Sequence, residues 1–296
     1  VAQLSRKENE MIKHGKFDTD AIALRRRIQA HEKYGSYDLN QWIFDHMELA
    51  EGLSILELGC GIGKQTLPIA HVVGKAGIVL AIDSSHEALL ALAESAKQLG
   101  LDDRISLLCC GLDDLDMHLH GHAFDRVLSS YSLYYAQYPS RVLKVVHQVL
   151  KPGGIFFFCG PAKDNNVELK QFHYALQGEQ VAPEKGAGIF MEESGQQLAR
   201  EFFEKVEVLA FQNPLRFDSA QALYDYWSSY NLYDVKLDAA FRSAAAKHFH
   251  AYSVFETVKR VVGAKATVLK AGQQAVTADR PSARVCAARL VCDGGG

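Results

Sequence analysis

Between Ser54 and Gly160 short apolar runs alternate with longer amphipathic stretches. The runs are SILEL (54–58), GIVLAID (77–83), ISLLCC (105–110), FDRVLSS (124–130) and GIFFFCG (154–160), and between them lie KQTLPIAHVVG, SHEALLALAESAKQLG and PSRVLKVVHQVL. Near-continuous apolar runs bounded by Gly and Asp turns and separated by helical periods predict βαβ units, with a parallel sheet covered on both faces. Upstream, from about Ser5 to His46, the chain is charged and helix-like. Its last piece, YDLNQWIFDHMEL, sets Leu39, Trp42, Ile43 and Met47 at helical spacing, one apolar face to pack on the downstream unit.

After Gly160 the rhythm loosens into PAKDNNVELKQFHYALQGEQVAPEKGAGIFMEE, which reads as an insertion or lid. A helix (SGQQLAREFFE), a strand (KVEVLAFQNPLRF), an aromatic-rich helix (SAQALYDYWSSYNLYD), another helix (LDAAFRSAAAKHF) and a final strand in SVFETVKRVVGA come next. That order makes the last two strands neighbours at one sheet edge. Thr267 to Gly296 contains no aromatic residue and is expected to stay outside the core. The expected organisation is a helical arm at 1–50, one α/β unit at 51–266 with cap insertions at 163–190 and 214–250, and a disordered tail at 267–296.

Composition trims the alternatives. Hydrophobic residues make up 48% of the 296 and charged ones 23%, so a sizeable core is available and disordered or fibrous classes are excluded. With 32 Lys+Arg against 35 Asp+Glu the net charge is −3, which gives no global attraction to nucleic acid or an anionic membrane. The basic run Arg25–Arg27 reads as a solvated helix face. Six cysteines without a CxxC pair suit a reducing compartment. No run approaches the roughly 20 apolar residues of a membrane span, and the sequence from Val1 is too polar for a secretory signal, so a cytoplasmic protein is expected.

The strongest local signal is Ile55-Leu56-Glu57-Leu58-Gly59-Cys60-Gly61-Ile62-Gly63-Lys64, a strand running into a glycine-rich turn and then a helix. Glycines there let the backbone turn tightly and lie against a ligand at the carboxyl end of a strand. The next strand ends at Asp83, twenty residues after Gly63, where an acid can accept from both hydroxyls of a ribose. The spacing denies a dinucleotide: the sixth position from Gly59 is Lys64 and from Gly61 is Thr66, not Gly or Ala. Glu57 on the strand end would repel a pyrophosphate and suits a cationic ligand.

LELGCGIG, the acid in VLAIDSS, FDRVLSSYSLYY and LKPGGIFFF together, in this order across about residues 50 to 265, resemble the successive motifs of class I S-adenosylmethionine-dependent methyltransferases. The resemblance implies a Rossmann-like, doubly wound, mostly parallel seven-stranded sheet, here with an N-terminal helical arm and helical cap insertions. It implies S-adenosylmethionine as methyl donor, S-adenosylhomocysteine as product, and a small organic acceptor methylated on N, O or C. Carried over by position, Gly59, Gly61 and Gly63 match the loop beside the methionine moiety, Glu57 the acid orienting its ammonium, Asp83 the ribose acid, Ser84 the adenine edge and the Ser129 backbone the methionine end. The family's Gly-Asp-Ala motif is absent. Cys110-Gly111-Leu112-Asp113 stands there, so either Asp113 supplies the adenine contact or the ring is held by backbone and packing, with Leu112 against it. RNA modification, or cofactor binding without catalysis, are the alternatives within the fold.

Methyl transfer from a sulfonium needs mainly alignment and desolvation, so no one catalytic residue is demanded. The acceptor would lie over the ends of the first and fourth strands, near Tyr131, Tyr134 and Tyr135, with Tyr34 and Trp227 as further lining candidates. His31, His173 and Tyr131 are the base candidates, and core packing is the competing reading for the aromatics. A solvated loop is the preferred reading of His118, His120 and His122, and small buried residues that of Cys109 and Cys110, so no metal is expected. Oligomeric state is not legible.

Overall fold

The computed structural model describes residues 21–269. Helices α1 (Ala21–Tyr34) and α2 (Leu39–Met47) precede the sheet. Strands β1 (Ser54–Leu58), β2 (Ile78–Asp83), β3 (Ile105–Cys109), β4 (Phe124–Ser130) and β5 (Leu150–Pro161) run parallel, linked by α3 (Thr66–Val73), α4 (His86–Gln98), α5 (Leu115–His118) and α6 (Pro139–Val149). After β5 come α7 (Val167–Ala175), α8 (Ala187–Ile189), α9 (Gly195–Phe202) and β6 (Lys205–Phe217), then α10 (Ala220–Ser228), α11 (Asp238–Ala251) and β7 (Phe255–Thr267). The order is β3-β2-β1-β4-β5-β7-β6, with β7 antiparallel to both neighbours. The doubly wound, mostly parallel seven-stranded sheet is therefore as the sequence implied.

The continuous apolar runs have a simple cause. Leu56, Leu58, Phe156 and Phe158 face one core with α6 and α9, while Ile55, Phe157 and Cys159 face another with α2 and α3. Successive strand residues point to opposite faces, and here both faces are covered. Leu39, Ile43 and Met47 of α2 are buried as expected, and Trp42 packs edge-on against Phe157 at 5.3 Å.

A third cluster lies beyond the ends of β6 and β7. Leu223, Tyr226 and Trp227 of α10 meet Phe241 of α11, Leu169 of α7, Ala30 of α1, and Leu215, Phe217 and Phe255. The residues expected to be a cap insertion at 163–190 carry a packed helix, with Leu169 and His173 buried there and Phe190 in the main core. Two expected boundaries shift. The second cap insertion does not start at 214: Pro214–Phe217 belong to β6, as the expected strand KVEVLAFQNPLRF had them, and pair with β7. Thr267 pairs with Ile155, and Val268 is buried and bonded to Gly153 and Gly154, so the tail cannot begin at 267. Small aliphatic residues finish a strand as well as aromatic ones do. The rest of that tail, and the first piece of the N-terminal arm, lie outside the described residues.

Asn213 of β6 fastens the arm. Its Oδ1 accepts from the Ser36 and Tyr37 amides at 2.7 and 2.9 Å, and its Nδ2 donates to the Tyr37 carbonyl at 2.8 Å. A Cβ on Gly35 would stand 2.3 Å from the His31 carbonyl oxygen, so only glycine permits this approach. Asn40 of α2 in turn donates to the Lys64 carbonyl and accepts from Gln65, tying the arm to the end of the glycine loop.

Candidate active site

The glycine loop closes over the end of β2. The Gly59 and Cys60 amides both donate to the Ile82 carbonyl, at 2.8 and 2.9 Å. Asp83 Oδ2 accepts from the Gly61 amide at 2.7 Å and Oδ1 from the Ser85 amide at 2.8 Å, charge-assisted bonds that hold loop and acid in register. Gly59 has φ +72, with Ser132 Cβ 2.2 Å from where its own Cβ would be. Gly61 has φ +53 and nothing within 4 Å of that position, so its backbone borders open space. Ser85 caps α4, accepting from Ala88; Ser84 is exposed beside Asp83.

Glu57 lies beneath this loop, buried, with Thr66 Oγ1 donating to its Oε2 at 2.6 Å. Burial raises its pKa to about 8 against the Thr66 bond, and the nearby Asp83 charge adds to the rise. The free chain therefore holds Glu57 largely protonated at neutral pH.

At the end of β4, Ser132 Oγ donates to the Leu58 carbonyl and meets Ser129 Oγ, both at 2.6 Å, which locks β4 to the glycine turn. Tyr131 comes next, in the left-handed region at φ +59, a conformation costly for a tyrosine and held here by the hydrogen bond its amide N–H donates to the Cys159 carbonyl. Its hydroxyl is buried without a hydrogen-bond partner among the described residues. Tyr134 is buried in the main core against Gly160, with Tyr135 4.6 Å away. Leu112 is half-buried against the main core. Asp113 is committed elsewhere: its two oxygens accept from the Gln137 and Tyr138 amides, at 2.9 and 2.8 Å, ahead of α6. It fastens a loop, and an adenine contact through it gains no support.

Above Tyr131 stands a group that the sequence did not single out. Lys259 of β7 is buried, with its Nζ 3.3 Å from His31 Nδ1 and 5.3 Å from the Tyr131 ring centroid. His31 Nε2 lies 3.2 Å from the Tyr226 hydroxyl, which also accepts from Asn166 Nδ2 at 3.0 Å. Burial, then the Lys64 ammonium, lowers the Lys259 pKa to about 7. The signal was present in the strand: Phe255, Thr257, Lys259 and Val261 are the buried positions of its alternation, and one of them is a lysine.

Of the base candidates, His31 and Tyr131 meet at this point and His173 does not. Trp227 Nε1 donates to His173 Nδ1 at 3.2 Å, and Gln177 lies 3.3 Å from the other ring nitrogen, so both are occupied inside the helical layer. Trp227 stacks on Phe241, 4.0 Å between centroids, and is a core residue rather than a substrate contact. Tyr34 packs on Phe217 at 4.9 Å at the edge of the same layer. Among the described residues no group of three metal-binding side chains exists, and no helix is long and apolar enough to cross a membrane.

Residues 49–207, more than half of the chain, match the family model described as "Methyltransferase domain", and the chain belongs to that family. With the strand order and the glycine loop, this makes it a class I S-adenosylmethionine-dependent methyltransferase fold. It is 32% identical over 127 residues to sterol 4-C-methyltransferase strm-1 of Caenorhabditis elegans, covering 43% of this chain and 36% of that one. Malonyl-[acyl-carrier protein] O-methyltransferase of Priestia megaterium is 29% identical over 139 residues, covering 47% and 45%. The matches thus span less than half of either relative's length. Among solved structures, a SAM-dependent methyltransferase from Aquifex aeolicus superposes with a TM-score of 0.50 at 14% identity, covering 83% of this chain and 98% of that one, a likeness of fold.

Proposed function

We propose that the chain transfers a methyl group from S-adenosylmethionine to a small organic acceptor. The observation that carries this reading is the Gly59–Gly63 loop held by Asp83 at the β1–β4 switch point, with its Gly61 face open. When bound, S-adenosylmethionine supplies an electrophilic methyl group on a sulfonium. The residues present fit it: an anchored acid for the ribose in Asp83, an unobstructed backbone at Gly61, and Glu57 beneath the loop, bonded to a hydroxyl rather than a cation, whose ionised form a nearby cationic end would favour. Gly59, Gly63 and the Ser129 backbone would border the methionine moiety, with Ser84 and Leu112 on the adenine side.

The chain's own work is alignment and exclusion of water. The arm, tied at Asn213 and Asn40, covers the acceptor end, and the half-buried Tyr131 ring forms its floor. The acceptors named for the relatives, a sterol and a malonyl carrier protein, support a small organic group as the methylated partner. Calorimetry with S-adenosylhomocysteine tests the donor site. Asp83→Ala removes a charged acceptor worth about 1.5–3 kcal/mol, so affinity should fall about 10- to 100-fold. Unchanged affinity would overturn the assignment.

A further inference from the structure

Over the acceptor end, the described residues gather proton-bearing groups with no carboxylate among them. Lys259 is only 6% exposed, and its one polar contact among the described residues is His31 Nδ1 at 3.3 Å. The Tyr131 hydroxyl is buried and unpartnered, and its ring lies under the same ammonium. Lys64, from the end of the glycine loop, is close enough to disfavour protonation of both His31 and Lys259. Arg27 of α1, Cys159 of β5 and Asp38 before α2 also act on Lys259; Asp38 is exposed and caps α2, and makes no ion pair with either lysine. A buried ammonium without a counter-charge is unfavourable by itself. Set over a tyrosine ring whose hydroxyl is buried and unpartnered, it is complementary to one ligand chemistry, an anionic oxygen.

We propose that Lys259, His31 and Tyr131 form an anion subsite that holds a carboxylate of the acceptor. This rests on the methyltransferase reading above and narrows the acceptor to a small organic acid. The Lys259 ammonium and the Tyr131 hydroxyl donate to the carboxylate, while His31, hydrogen-bonded to Tyr226, fixes the direction of the ammonium. Because Lys259 titrates at about 7 without the anion, carboxylate binding above that pH takes up a proton.

The test uses the full chain saturated with S-adenosylhomocysteine, titrated calorimetrically with benzoate and cinnamate and with their neutral counterparts benzamide and cinnamamide. The carboxylates should bind about tenfold tighter than the amides. Lys259→Met should erase that preference while leaving S-adenosylhomocysteine affinity within about twofold. In two buffers of different ionisation enthalpy at pH 8, wild type should take up a proton with benzoate and Lys259→Met should not. Tyr131→Phe, which removes one oxygen, should weaken the carboxylates alone and serves if Lys259→Met does not fold. Equal binding of acids and amides, or no binding of the acids, overturns the subsite. So does a parallel loss of S-adenosylhomocysteine in Lys259→Met, which would assign the cluster to the donor's own carboxylate. Failure of wild type to bind S-adenosylhomocysteine sinks the methyltransferase reading instead, and the same titrations on the unliganded chain then decide the subsite separately.

Discussion

Glu57 and Lys259 are each held away from their ordinary protonation, in opposite directions, and their effects on stability have opposite signs. Glu57 ionises near 4.5 in an unfolded chain and near 8 when folded, so between those values the folded state binds more protons. Stability contributed by this group is present below pH 4.5 and lost as pH rises through 8. Lys259 falls from 10.5 to about 7, so between pH 7 and 10.5 the unfolded state binds more protons and stability rises with pH. Glu57→Gln should therefore flatten the decline between pH 5 and 8 in denaturant melts, whereas Lys259→Met should flatten the rise between pH 7 and 10. An unaltered pH profile in Glu57→Gln would mean that the carboxyl is ionised in the folded chain. The sequence marked Glu57 as an acid under a glycine loop, but its protonation is set by burial beneath Thr66, which spacing along a chain does not report.

Among the elements, the arm is the one whose position depends most on a single side chain. Asn213 makes three hydrogen bonds to the 36–37 backbone from a buried site, and Gly35 pairs with Leu215 beside it. Asn213→Ala leaves those groups unsatisfied and should cost about 2–3 kcal/mol in chemical denaturation. It should also speed tryptic cleavage at Arg25–Arg27, because α1 would lose its anchor to β6; cleavage at the wild-type rate would show that other contacts hold the helix. The period of α2 was legible because its apolar face is continuous. The clamp was not, since an asparagine in a strand reads as an interruption until the turn it caps is placed opposite.

For the whole molecule, the third hydrophobic cluster decides what the segments after β5 do. Trp227 is fully buried and stacked on Phe241, so Trp227→Ala should destabilise the fold by about 3–5 kcal/mol. Thermal and denaturant melts check this. S-adenosylhomocysteine affinity, measured where the variant is folded, should stay near wild type, because the ring packs in the helical layer and not against the glycine loop. Deleting 163–190 would remove Leu169, His173 and Phe190 from two cores, so it should cost stability as well as acceptor binding. An acceptor effect without a stability loss would show that the insertion is not part of the packed core.

The sequence by itself determined the sheet, its strands and the glycine loop. Continuous apolar runs are what two-sided burial requires, and glycines with an acid one strand later are what a tight loop against a ribose requires. Tertiary structure decided the cluster around Lys259. Lys259, His31, Tyr131 and Tyr226 come from β7, α1, the end of β4 and α10, nearly the whole chain apart, and only the antiparallel entry of β7 between β5 and β6 brings them together. Local pattern records which face a residue prefers. It carries no record of which distant face will lie opposite, and the meeting of the buried Lys259 with His31 and the Tyr131 ring is a fact of that second kind.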